Sequence, residues 1–134
     1  MGSVRATLRL QSSDVLTTSV DISTSASVTA DGGSVGRAKV LKTAVHNDAL
    51  VVYKADDKLV NANLYVKNLE SVKENYVYIY NDTDSDGLVA KIPGGEFAFI
   101  PVAVDKTYKV YGTIVDGIVE YAVFGLDSSA VTLS

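Results

Sequence analysis

From Val20 to Val28 the chain alternates without a break. Val20, Ile22, Thr24, Ala26 and Val28 fall on one side of an extended backbone, and Asp21, Ser23, Ser25 and Ser27 on the other. A period of two puts successive side chains on opposite faces of a strand, so this segment is expected to pair with one face wet. The same period recurs along the chain. Ala6, Leu8 and Leu10 oppose Thr7, Arg9 and Gln11, which predicts a half-buried strand over Ala6–Gln11. Ala62, Leu64 and Val66 alternate within Leu59–Asn68, and Val77 and Ile79 sit between Tyr76, Tyr78 and Tyr80. Only Leu69–Asn75 reads as a helical turn or a loop.

Turn residues punctuate these runs. Asp31-Gly32-Gly33 predicts a turn that returns the chain as a hairpin strand over Val35–Lys42. Leu50–Lys54 is a short strand before Ala55-Asp56-Asp57. Leu88–Ile92 is followed by Pro93-Gly94-Gly95, and Glu96–Val104 contains Pro101, which suggests a sheet edge or a bulge. Asp116-Gly117 between Tyr108–Val115 and Ile118–Phe124 is a strong hairpin signal. About nine or ten short strands at this spacing predict an all-β, antiparallel sandwich or barrel. The 134 residues show no linker or repeat, so one domain over 1–134 is expected, with residues 1–5 as a flexible N-terminal arm.

Composition narrows the chemistry. There is no Cys or Trp, and His46 is the single histidine. Thiolate metal sites, disulfides and cysteine nucleophiles are excluded, and His46 has no nucleophile motif beside it, so it reads as a solvated loop residue. The glycine-rich Asp31-Gly32-Gly33 and Gly94-Gly95-Glu96 do not lead a strand into a helix and are not phosphate loops. The reading is a non-enzyme. The net charge is −4, unevenly spread. Residues 1–67 hold eight Lys/Arg against six Asp/Glu (+2), and residues 68–134 hold four against ten (−6). A net acidic chain without a basic stripe is not expected to bind nucleic acid. Its dipolar distribution would suit a partner or a head-to-tail copy. The start has no apolar signal segment. The longest apolar stretch, Phe97 to Val104, is eight residues against the roughly 20 a spanning helix needs, so a soluble chain with no membrane partner is expected.

Three features could carry function. Asp82, Asp84 and Asp86 before Gly87 match the first half of an EF-hand-type calcium loop, where alternate carboxylates converge on a hard cation. The twelfth position is Pro93 instead of Glu, so the segment reads equally as an exposed acidic loop. Tyr76, Tyr78 and Tyr80 share one strand face and could form a subunit contact or a sugar-stacking platform, because tyrosine joins apolar area to a polar tip. Glu120 falls on the face of Ile118, Ala122 and Phe124, a position that a strand end or a subunit contact would explain.

The block Tyr76–Gly125 resembles the small head decoration, or cement, proteins of tailed bacteriophages, cyanophage-like ones in particular. Gly95, Glu96, Phe97, Phe99 and Pro101, followed by Glu120, Tyr121 and Phe124, carry the resemblance over about 50 of the 134 residues. It implies a jelly-roll-like sandwich that assembles as a homotrimer, binds the major capsid protein across capsomer junctions on the outer capsid surface of the virion, and has no catalytic residues; apart from calcium at Asp82, Asp84 and Asp86, no cofactor is expected. A receptor- or glycan-binding module of a phage tail or fibre is the alternative.

Overall fold

The computed structural model describes residues 2–13, 19–30, 32–40, 50–54, 59–81, 87–103, 105–113 and 117–127. They form ten strands: β1 (Gly2–Ser12), β2 (Val20–Ala30), β3 (Gly32–Val40), β4 (Leu50–Tyr53), β5 (Leu59–Asn68), β6 (Val77–Asn81), β7 (Leu88–Ile92), β8 (Phe97–Val102), β9 (Tyr108–Gly112) and β10 (Gly117–Asp127). Residues 69–70 are irregular and 71–75 form bends and turns, with no helix.

Two four-stranded sheets, ordered β3-β10-β5-β8 and β4-β9-β6-β7, make a sandwich. Every pairing in them is antiparallel. The pairs β3–β10, β4–β9, β5–β8 and β6–β7 are nested one inside the next, so the eight strands are a single long hairpin rolled into two layers. That order is a jelly roll. The inner faces meet through Leu64, Val66, Val77, Ile79, Val110 and Val119, each fully or almost fully buried. Pro101 lies on β8, an edge strand, where its missing N–H breaks no ladder.

Asn68, at 0% exposure, locks the sandwich end. Its side-chain amide donates to the carbonyls of Asn75 (2.6 Å) and Ile92 (3.0 Å), and its side-chain oxygen accepts from the Glu70 N–H at 3.1 Å. Its backbone accepts from Gly95 and donates to the carbonyl of Glu96, both at 2.9 Å. One side chain thus satisfies groups of an irregular loop that no ladder reaches. Gly94 fits the same knot because a Cβ there would stand 2.1 Å from the Val72 carbonyl oxygen.

Three local expectations change. β2 and β3 do not pair around Asp31-Gly32-Gly33: β2 pairs with β1 and β3 with β10. β9 and β10 do not pair around Asp116-Gly117, since each belongs to a different sheet. The long-range pairings place Val119 and Val123 of β10 and Val110 of β9 in the core between the sheets, and they override the turn signals. Residues 2–5, expected as an arm, are the first residues of β1, with Gly2 opposite Ala30 and Arg5 opposite Ser27.

Candidate functional site

β1 and β2 form a separate two-stranded ribbon of eleven paired positions. Ala6, Leu8 and Leu10 lie opposite Ala26, Thr24 and Ile22 on one face, and Thr7, Arg9 and Gln11 lie opposite Ser25, Ser23 and Asp21 on the other. The alternation seen in the sequence therefore yields an amphipathic ribbon with an Arg9–Asp21 ion pair (3.2 Å) on its wet face.

The ribbon lies over the outer face of the β3-β10-β5-β8 sheet. β2 touches β10, and Ala122, outward by alternation with Tyr121 and Val123, is buried. The covering is incomplete. Leu8, Leu10 and Ile22 remain 41, 48 and 55% exposed, and Phe97 on the sheet is 55% exposed. Between them runs a groove of about 840 Å³, roofed by Ala6, Leu8 and Leu10 and floored by Tyr65, Phe97 and Phe99. The floor rings of Tyr65 and Phe97 stand 6.3 Å apart, tilted by 46°.

Glu120 sits beside this floor. Arg37 donates to its Oε2 through Nε and Nη2 (3.1 Å each), and the Tyr65 hydroxyl donates to its Oε1 at 3.0 Å. Lys67 is directly opposite on β5. The Arg37 and Tyr65 bonds hold the Glu120 carboxyl below the usual carboxylate range. Burial first, and then the bond to Glu120, raises the Tyr65 hydroxyl above its ordinary value. The odd strand carboxylate is thus explained as a cross-strand anchor at the groove's side.

Of the tyrosine row, Tyr78 and Tyr80 lie on β6 of the other sheet, whereas Tyr76 stands just before that strand and not on its face. Tyr78 stacks on Tyr111 with centroids 5.0 Å apart and 21° between planes, while Tyr80 meets Tyr111 edge-on at 5.5 Å. Tyr80 is 3% exposed, and Lys91 Nζ lies 4.1 Å from the Tyr76 ring centre. Glu120 and the tyrosines are therefore not brought together.

Asp82, Asp84, Asp86 and His46 lie outside the described residues. Of the described residues flanking 82–86, Asn81 donates its N–H to the Gly87 carbonyl at 2.6 Å. Among the described residues no group of three His, Asp or Glu side chains is placed to hold a metal. The groove was not among the sequence-derived candidates. Its signal was the apolar alternation of both β1 and β2, but the strand each would lie against is not local.

Compared with protein-family models, curated proteins and solved structures, the chain matches none of them.

Proposed function

We propose that this chain is a non-enzymatic assembly component, a β-sandwich that attaches to a protein lattice as phage head decoration proteins do. One observation carries the reading. The chain builds an amphipathic ribbon and leaves the apolar side chains Leu8, Leu10 and Ile22 in solvent, together with Phe97 on the face below. Adjoining exposed apolar surface of this kind is a mark of interaction sites. An isolated two-stranded ribbon is also marginal in water, so a further covering layer would stabilise it. The jelly-roll order agrees with the resemblance of Tyr76–Gly125 to the decoration proteins, although a fold of this type serves many functions. The glycan-binding alternative has less support, because Tyr78 lays its ring on Tyr111 and Tyr80 is covered.

The test is addition of purified chain to phage heads prepared without it. The expected result is co-sedimentation and a higher temperature of DNA release, both reduced by Leu8→Ser with Leu10→Ser. Heads that neither bind the chain nor gain heat resistance overturn the reading.

A further inference from the structure

Among the described residues the two sheets of the sandwich have four edge strands, β3, β8, β4 and β7. Three are blunted. β8 carries Pro101. β4 and β7 are four and five residues long, and the pairing of each contains a register break. Proline, shortness and bulges are means by which a sheet edge refuses another strand. β3 has none of these. It pairs with β10 over Gly32–Val40 without a register shift, and no described strand lies on its other side.

Exposure marks the same edge. Val35 lies directly opposite Ala122, which is buried. Val35 itself is 71% exposed, more than any other large apolar side chain described. Arg37, two residues on, is already held by Glu120 of its neighbour β10 at 3.1 Å, so its charge guards the edge poorly.

What this edge accepts follows from its own pattern. Residues directly opposite in an antiparallel pair share a face, so two identical strands related by a two-fold axis must place one residue on that axis. With Gly36 there, Gly32 faces Val40 and the whole of β3 overlaps. Arg37 then lies opposite Val35, and Lys39 opposite Gly33. Each charged residue meets a smaller uncharged one, and the alkyl stem of Arg37 covers Val35. An axis at Arg37 would oppose two guanidinium groups, and an axis at Val35 would end the overlap at Ala38. The ribbon strands are less suited. β2 touches β10, and full overlap of two β1 strands would set Arg5 against Arg9.

We propose that two copies of this chain join edge to edge through β3, antiparallel about a two-fold axis at Gly36, so that their β3-β10-β5-β8 sheets become one. The contact is isologous and closes at two copies. It supplies about one ladder hydrogen bond per residue over roughly 30 Å of strand. It goes beyond attachment to a lattice and does not depend on it.

Val35→Lys and Val35→Glu test the contact, because a surface position this exposed leaves the monomer fold in place with either residue. Lysine at 35 faces Arg37 of the other copy with like charge, and glutamate faces it with opposite charge. In sedimentation equilibrium the wild type is a dimer, Val35→Lys weakens it about tenfold, and Val35→Glu changes it by less than about threefold. Added salt narrows the gap between the two. The chain has no cysteine, so copies with Val35→Cys and with Arg37→Cys can be mixed and oxidised. The mixed disulfide is expected in excess, since directly opposite Cα atoms stand within disulfide reach. A wild type that stays monomeric at millimolar concentration, equal effects of lysine and glutamate, or an excess of the Val35→Cys like pair overturns the proposal. Heads that bind a monomeric chain would remove this contact and leave the attachment reading in place. A dimer sensitive to Val35→Lys that ignores heads would do the reverse.

Discussion

The sandwich and the ribbon are written in the same alphabet of alternating residues, yet they use it differently. In β5, Leu64 and Val66 are wholly buried because another sheet faces them. In β1, Leu8 and Leu10 alternate just as regularly and remain nearly half in solvent. Alternation guarantees an apolar face and says nothing of what covers it. The sandwich covers its own faces; the ribbon presents one.

The sharpest way to break the comparison is to delete volume in each region. Leu64→Ala should cost about 2–5 kcal/mol, the range for a fully buried leucine, read as a fall in the denaturant midpoint. The same truncation at Leu10 should cost under about 1 kcal/mol, since surface changes are small. Equal losses at the two sites would mean that the ribbon is covered in solution.

Asn68→Ala comes next. It strips hydrogen bonds from the Asn75 and Ile92 carbonyls and the Glu70 N–H, with an expected loss on the order of 3 kcal/mol. Urea unfolding would show it. A change below about 0.5 kcal/mol would mean that the loop is satisfied in another way. Gly94→Ala follows, at more than about 1 kcal/mol, because the new Cβ meets backbone oxygen, not a movable side chain. Gly36 is the useful contrast: a Cβ there meets the Tyr121 ring at 3.3 Å, so a shift of a few tenths of an ångström relieves it.

The smallest effect is electrostatic. Glu120 titrates lower in the folded chain than in the unfolded one, so its contribution is present above the ordinary glutamate range and fades as pH falls through its folded value. Glu120→Gln should lower the neutral-pH midpoint slightly and flatten the acid limb, so that the two chains converge at low pH. Tyr65 acts at the other end. Its raised value means that its contribution is full below the ordinary tyrosine range and is lost at more alkaline pH. A Tyr65→Phe chain whose alkaline limb matches wild type would remove that assignment.

The strands themselves were legible. Leu59–Asn68 and Leu88–Ile92 were expected at the bounds observed, and the break at Pro101 correctly marked an edge. Partners were less legible. Asp116-Gly117 carries a local hairpin signal, but Val119, Tyr121 and Val123 find β3 and β5 far away in sequence. Local turn chemistry cannot register a partner some eighty residues distant. Glu120 was noticed as anomalous, but Arg37 and Tyr65, which anchor it, come from two other strands. The groove was the least visible feature, because it exists only where the ribbon and the sheet face fail to close.

The nested pairing has a consequence for how the chain acquires its structure. β6 and β7 are the innermost pair, separated by a short loop, and the entropy of closing a loop rises with its length. A productive order is therefore zipping outward from that hairpin, with each completed pair shortening the effective loop of the next. β3 must wait for β10. During synthesis on the ribosome the outermost strand of the roll would thus emerge early and stay unpaired until nearly the whole chain has followed, whereas β1 and β2 can pair at once. Truncations in Val119 or Ala122 should then mainly hasten unfolding, and truncations in Val77 or Ile79 should slow folding, a division that stopped-flow measurements would reveal.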